Sequence, residues 1–279
     1  MPAYELTGLD GKVAVITGAG RMRSIGRPVA VELARAGANI VLTGTGRSPD
    51  RYPDDEKAAG WRDIESVAEE IEAVGGQTHP IVSDVRDPQA VDALVASTME
   101  RFGRVDIVVN NAGAARGDDR RPVVDMDVDT WENVLGTNLT GTFLMCRAFG
   151  RVLIDQGRGG SIINMSSIAG KLYPENTAAY ASSKAAIQAL TASMSREVAP
   201  SGIRVNAICP GVIDTARMDD IDAIERGDTW NEMVADRIPL GRAGTGEDIA
   251  HMTVYLCSDQ GAWITGQAYN VDGGTVTTG

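Results

Sequence analysis

Read as a pattern of apolar and polar positions, the chain is a succession of short β-rich runs separated by stretches of helical periodicity. Lys12–Thr17, Asn39–Thr43, Thr78–Ser83, Val105–Asn110, Ser161–Met165, Arg204–Ile208 and Gln267–Val271 read as strands. Most are nearly unbroken runs of Val and Ile, as expected of a parallel sheet whose two faces are both covered. Between them apolar residues recur at helical spacing. Val29, Leu33 and Ala36 form one such stretch, ending at Gly37 as a C′ residue should. Val67–Val74, Val91–Phe102, Trp131–Leu153 and Tyr180–Val198 are others. Repeated β-α-β predicts an α/β fold, a single doubly wound Rossmann-type domain over residues 1–279. Its sheet is expected to be mostly or wholly parallel, with about seven strands and helices on both faces.

Two segments break the rhythm: the charged, Pro-containing Gly46–Trp61 and the long Val212–Gly246. Loops of this length in a compact domain are usually functional or mobile. The second is expected to form a lid over the substrate. Its Met218, Ile221, Ile224, Trp230 and Met233 either give the pocket an apolar component or form the lid's own packing face.

Composition narrows the partners. At 43% hydrophobic and 5% aromatic residues, the core is expected to be aliphatic. A net charge of -12 argues against nucleic acid, which needs clustered Lys and Arg, and against an anionic membrane surface. No apolar run approaches the ~20 residues of a spanning helix, and the N-terminus lacks the basic and apolar regions of a signal peptide. A cytoplasmic location is expected. Cys146, Cys209 and Cys257 are odd in number and far apart, which suggests neither a disulfide framework nor a metal site. Only His79 and His251 are present, which removes His-based triads and His-rich metal sites.

The chemistry is concentrated in Tyr180-Ala-Ser-Ser-Lys184, with Ser167 thirteen residues upstream of Tyr180. A phenol and an ammonium four residues apart share one helix face. The ammonium favours the phenolate and lowers the Tyr pKa from about 10 towards neutrality, which makes Tyr180 a usable general acid/base. A Ser hydroxyl beside it can donate to a developing alkoxide. Directly after the first strand comes Thr17-Gly-Ala-Gly-Arg-Met-Arg-Ser-Ile-Gly26. There Gly18, Gly20 and Gly26 let the backbone turn and approach a pyrophosphate, and Arg21, Arg23, Ser24 and Ile25 lead into a helix N-terminus. At the end of the second strand, where an acid normally takes the ribose hydroxyls, the chain reads Gly44-Thr45-Gly46-Arg47. With no carboxylate there, and with Arg21, Arg23 and Arg47 nearby, a 2′-phosphate is expected and NADP(H) is favoured. NAD(H) is the alternative, served by Asp50 folding back.

With the Gly-rich turn, Asn110-Asn-Ala-Gly113, Asn138, Ser167 and Tyr180-x-x-x-Lys184 in this order, the chain resembles a short-chain dehydrogenase/reductase of the single-domain type, over about Leu9 to Gly274. The resemblance implies catalytic roles for Asn138, Ser167, Tyr180 and Lys184. Asn138 would hold a kink and a proton-relay water, and Lys184 would also bind the nicotinamide ribose. Asn110, Ala112 and Gly113 would form the adenine-side wall, with Asp84 and Val85 flanking the adenine. The segment Cys209-Pro210-Gly211, with Ile213 and Thr215, would meet the carboxamide. The closing motifs resemble those of the branch containing bacterial 3-oxoacyl reductases. In one departure, Met22-Arg-Ser24 stands where the family has a single Gly, which lengthens the phosphate loop.

The resulting expectation is a homotetrameric NADP-dependent alcohol dehydrogenase or carbonyl reductase acting on a small-molecule ketone or secondary alcohol, with no metal. The tetramer is expected because Phe143, Met145, Ala148, Phe149 and Val152, and likewise Ala178, Ala186, Ala189 and Met194, spread over too wide a helical arc for the sheet alone to hide. One rival is a 3-oxoacyl-carrier-protein reductase, whose acidic carrier would need a local basic patch around Arg147, Arg151 and Arg158. The other is a catalytically silent nucleotide-sensing or scaffold subunit.

Overall fold

In the computed structural model, which describes residues 5–218 and 228–277, the Val/Ile runs become strands β1 (Val13–Thr17), β2 (Asn39–Gly44), β3 (Thr78–Val82), β4 (Ile107–Asn110), β5 (Gly160–Met165), β6 (Ile203–Pro210) and β7 (Ala268–Val271). They form one sheet in the order β3-β2-β1-β4-β5-β6-β7, and every pairing is parallel. The strand boundaries fall within one or two residues of those read from the sequence.

Strand alternation distributes the apolar residues between two cores. Ala14, Ile16, Ile40, Leu42, Val109 and Ile163 face one side. There they pack beneath helices α1 (Gly26–Arg35) and α3 (Ile64–Ala73), through Val29, Leu33, Val67 and Ile71. Val13, Val15, Val41, Val108, Ile162 and Val205 face the other, beneath α4 (Pro88–Phe102), α6 (Gly141–Gln156) and α8 (Ala178–Val198). Phe149 and Leu153 are wholly buried there. Each such side chain removed from water contributes about 1.5–3 kcal/mol.

The rest of the chain hangs from this frame. A short α2 (Asp54–Ala58) lies in the charged excursion after β2, and α5 (Val128–Leu135) precedes α6. A single turn, α7 (Ala169–Leu172), follows β5. Helix α9 (Asp228–Arg237) lies in the expected lid segment, and α10 (Gly246–Cys257) packs on α1. The lid residues Ile221 and Ile224 lie outside the described residues, as do the side chains of Trp230 and Met233.

The periodic stretch Trp131–Leu153 is not one regular helix. Between α5 and α6 the chain makes a five-residue π segment, Gly136–Thr140, closed by the Gly141 N–H on the Gly136 carbonyl. A π turn inserts an extra residue and typically marks a functional position; Asn138 is at its centre. No helix among the described residues is long and apolar enough to cross a membrane.

The broad apolar arcs resolve into two kinds of position. Met145, Phe149 and Met194 belong to the sheet-side core. Phe143 is 45% exposed and Ala189 also faces outward.

Candidate active site

β1 pairs with β2 on one side and β4 on the other, so the chain reverses its winding direction at β1 and leaves a crevice at the carboxyl ends of the strands. A cleft of ≈ 1060 Å³ occupies it, above the ~300–1000 Å³ usual for small-ligand pockets. That volume accommodates a dinucleotide together with a small substrate. Its floor is knitted by the loops after β1 and β4. The Thr17 hydroxyl accepts from the Asn111 and Ala112 N–H groups at 3.0 Å each. The Asn111 amide donates to the Thr17 and Gly18 carbonyls, both at 2.9 Å. Gly18 has φ +66° and lies so close to this loop that a Cβ would sit 2.8 Å from the Ala112 Cα. At Gly26 a Cβ would meet the Asn111 amide at 2.6 Å, so only glycine lets α1 start here.

Gly18, Gly20, Gly44, Thr45, Asp84, Val85, Ala112 and Gly113 line the cleft, as do Arg21, Arg23, Ser24, Ile25 and Arg47. Pro210, Gly211, Ile213 and Thr215 line it near Tyr180 and Lys184. Asn110 does not reach it. Its side chain points into the core and donates to the Asn164 amide oxygen at 2.8 Å, because it shares the strand face of Val108 rather than that of Val109. The residue that turns towards the cleft is its neighbour Asn111.

The end of the cleft near β2 is built by the excursion 46–63. Asp63 has φ 56° and ψ -130°, a conformation that costs a non-glycine residue of order 1–3 kcal/mol and tends to persist at functional sites. This turn buries the Asp63 carboxylate between the two glycine positions. One of its oxygens is 1.3 Å from where a Cβ on Gly20 would be and 3.1 Å from that of Gly44. Its other oxygen accepts from Arg47 Nε at 3.2 Å. Arg47 also donates to the buried Glu56 at 3.1 Å and stacks on Tyr52, 4.9 Å from the ring centroid.

Glu56 in turn accepts from the Met22 N–H at 2.9 Å, and Asp55 pairs with Arg23 at 2.9 Å. The Trp61 indole donates to the Gly20 carbonyl at 2.7 Å. The two departures from regularity in the sequence, the lengthened phosphate loop and the charged excursion, are therefore bonded to each other. Asp50 sits on an exposed turn outside the cleft.

At the other end, β5 delivers two serines with different fates. The Ser166 hydroxyl donates to the Lys184 carbonyl at 2.8 Å and accepts from Gln188 at 3.0 Å, so it is engaged by α8. The Ser167 hydroxyl accepts from the Ala169 N–H at 3.1 Å and lies beside Tyr180, whose ionised form it favours. Burial acts to raise the Tyr180 pKa, but the Lys184 ammonium, the Arg217 guanidinium, the Ser167 hydroxyl and Arg120 outweigh it and hold the phenol below its ordinary value.

Lys184 is buried, and its Nζ donates to the Met165 carbonyl at 2.7 Å and lies 5.7 Å from the Tyr180 ring centroid. Burial holds its own pKa down, against the pull of Tyr180. Asn138 lies outside the cleft lining. Its amide donates to Ser183 at 2.9 Å and accepts from the Ala114 N–H at 2.8 Å, which ties the π segment to α8 and to the loop after β4.

Two further side chains at this end come from residues the sequence reading did not single out. The guanidinium carbons of Arg120 and Arg217 lie 4.5 and 4.7 Å from the Tyr180 ring centroid. No spacing signal joins them, since they come from loops about 100 residues apart.

Compared with known proteins, residues 18–276 match the family described as enoyl-(acyl carrier protein) reductase. A sorbitol dehydrogenase of Cereibacter sphaeroides is 34% identical over 273 residues, covering 95% of this chain and 98% of that protein. A 3-oxoacyl-[acyl-carrier-protein] reductase of Synechocystis sp. is 34% identical over 272 residues, covering 97% and 99%. Among solved structures, a 7α-hydroxysteroid dehydrogenase complexed with NADH and 7-oxo glycochenodeoxycholic acid aligns with a TM-score of 0.81 at 32% identity, over 97% of this chain and 96% of that one.

Proposed function

The chain belongs to the short-chain dehydrogenase/reductase family of oxidoreductases, and we propose that it interconverts a secondary alcohol and a ketone with NAD(H) as cofactor. The observation that carries the reaction class is the meeting of Ser167, Tyr180 and Lys184 at one end of a cleft whose other end is the Gly-rich loop. When bound, the nicotinamide supplies or accepts the hydride. Tyr180 passes the proton to or from the substrate oxygen, and Ser167 holds that oxygen as charge develops on it. Lys184 keeps Tyr180 ready to ionise and is placed to hold the nicotinamide ribose. Asn138 is proposed to connect Lys184 to solvent through water, with the π segment fixing its position. The five-residue span from Tyr180 to Lys184 favours carbonyl chemistry over the carbon–carbon reduction named in the matching family description, as the family's enoyl reductases space these residues more widely.

The choice of cofactor rests on Asp63. The absence of an acid at Gly44 favoured NADP(H) in the sequence. In the structure the carboxylate of Asp63 occupies the space a side chain at Gly44 would enter, and Arg47 is already paired with both Glu56 and Asp63. A carboxylate there suits the ribose hydroxyls and repels a 2′-phosphate. The decisive experiment is a panel of ketones and secondary alcohols with both nicotinamide cofactors, followed by nicotinamide absorbance. Turnover of several members with NAD(H) supports the reading, and no turnover with either cofactor overturns it.

A 3-oxoacyl-carrier-protein reductase remains the second reading. It is favoured by the similarity to the Synechocystis enzyme and by the exposure of Arg147, Arg151 and Arg158. Free ketones tested against carrier-bound ones decide between the two. Outward-facing Phe143 and Ala189 support assembly of the protein as a homotetramer.

A further inference from the structure

The protein carries a net charge of -12, yet the rim of the cleft around Tyr180 is cationic. Arg116, Arg120 and Arg217 all line it. Each has a terminal nitrogen that is buried without a hydrogen-bond partner: Nη1 of Arg116, Nη1 of Arg120 and Nη2 of Arg217. Arg217 is anchored through its other terminal nitrogen, which donates to the Ala114 carbonyl. Arg120 meets one acid, with Nη1 lying 3.4 Å from Asp119 Oδ2. Asp119 is itself buried and accepts from the Gly117 N–H at 3.1 Å with its other oxygen, so it holds the loop that carries Arg116 and Arg120. Among the described residues no carboxylate lies within ion-pair distance of Arg116 or Arg217, whereas Arg121 is turned outward onto Asp118 and Asp127.

A guanidinium withdrawn from water with a donor unused is costly unless something accepts from it. All three line the cleft, Arg120 lies close enough to feel the charge of the other two, and one acid beside Arg120 leaves a surplus of positive charge, with Arg116 and Arg217 each keeping a nitrogen that lacks an acceptor. Buried charges of this kind are expected to be paired, and the planar fork of arginine is matched to carboxylate and phosphate oxygens.

We infer that the substrate is an anionic carbonyl or alcohol compound, whose carboxylate or phosphate sits among Arg116, Arg120 and Arg217 while its reacting oxygen meets Tyr180. The inference rests on the reading of Tyr180 as the acid/base group. It adds that a neutral ketone is a poor substrate beside its anionic counterpart. The arginines then serve two roles, since the charge that seats the anion also stabilises the tyrosinate.

The test has a binding arm and a kinetic arm. In the first, acetate and inorganic phosphate are titrated by calorimetry into the protein saturated with NADH. Saturable binding is expected, weakened about 10- to 100-fold by Arg217→Met and by Arg120→Met, the effect of losing a charge-assisted bond. Arg217→Lys should restore part of it, which separates loss of charge from collapse of the loop. Tyr180→Phe should abolish turnover and leave anion binding in place, so failure of the reductase reading and failure of this inference are read separately.

In the second arm, 3-oxobutanoate is compared with its methyl ester, and dihydroxyacetone phosphate with dihydroxyacetone. The anionic member of at least one pair should have a kcat/KM about tenfold higher or more, and the gap should close in Arg217→Met. The pair that responds identifies carboxylate or phosphate. If neither pair is turned over, the calorimetry decides. Anion binding that is absent, or indifferent to both arginine substitutions, overturns the inference, as does preference for the neutral members.

Discussion

Replacing Asp63 with Asn tests the adenosine end of the cleft most directly, because it changes charge while nearly preserving shape. In the wild type one carboxylate oxygen faces Gly20 and Gly44, and the other pairs with Arg47. Bonds to a charged acceptor contribute about 1.5–3 kcal/mol each, against about 0.5–1.5 kcal/mol for neutral ones. Two ribose hydroxyls therefore lose about 2–3 kcal/mol between them, or roughly 30- to 150-fold in NADH affinity.

For NADPH the sign reverses. Two unit charges 4 Å apart repel by about 4 kcal/mol at an effective dielectric constant near 20. Removing the carboxylate relieves that repulsion and leaves Arg47 with Glu56 as its remaining acid. A gain of at least tenfold in NADPH affinity is expected. Trp61 bonds the Gly20 carbonyl at 2.7 Å, so quenching of its fluorescence provides the binding signal, with Trp61→Phe as the subtraction control. Equal changes in the two dissociation constants would refute the reasoning. So would a wild-type protein that binds NADPH at least tenfold more tightly than NADH.

Other outcomes follow from the same geometry. Tyr180→Phe should lower turnover by ~10²–10⁴ with NADH affinity nearly unchanged, and retention of more than a tenth of the activity would contradict its role. Ser167→Ala should be damaging and Ser166→Ala mild in steady-state assays, since the Ser166 hydroxyl is engaged by the Lys184 carbonyl and Gln188 of α8; the reverse order would show that the wrong serine was assigned. Lys184→Met removes a charge that holds the Tyr180 pKa down, so the alkaline-rising limb of alcohol oxidation should move to higher pH; an unmoved limb argues against that electrostatic role. Thr245→Ala breaks the capping box with Asp248 at the start of α10 and should cost about 1 kcal/mol, read from denaturant midpoints at constant m. Light scattering should give a tetramer, and a mass near 29.4 kDa at micromolar concentration would exclude it.

The sheet was legible in the sequence because β1, β4 and β5 are buried on both faces and spell this out in Val and Ile. Tyr180 and Lys184 were legible because four residues is one helical turn. Asn110 was assigned to the cleft by motif alone. Strand parity could have corrected it, since it follows Val108 into the core and leaves Asn111 to face the opening.

Asp63 could not be read from position. It stands well past Gly44 in the chain, and only the folding of the excursion through Glu56, Arg47 and Trp61 returns it to the end of β2. The arginines around Tyr180 were hidden for the same reason. Arg120 follows β4 and Arg217 follows β6, and neither has a local pattern that announces the other.

The bonding of the excursion to the phosphate loop has a consequence for local unfolding. Met22, Arg23 and Gly20 on one segment are held by Glu56, Asp55 and Trp61 on the other, and Arg27 on α1 pairs with Glu70 on α3 at 2.7 Å. Neither segment can open without exposing the partners of the other, so the two should behave as one cooperative opening unit rather than as separate loops. In native-state hydrogen exchange, the amides of residues 20–27 and 53–66 should share one opening free energy, lower than that of β1 and β4. Dinucleotide binding to the first segment should then slow exchange in the second to the same extent, including amides that the ligand never touches.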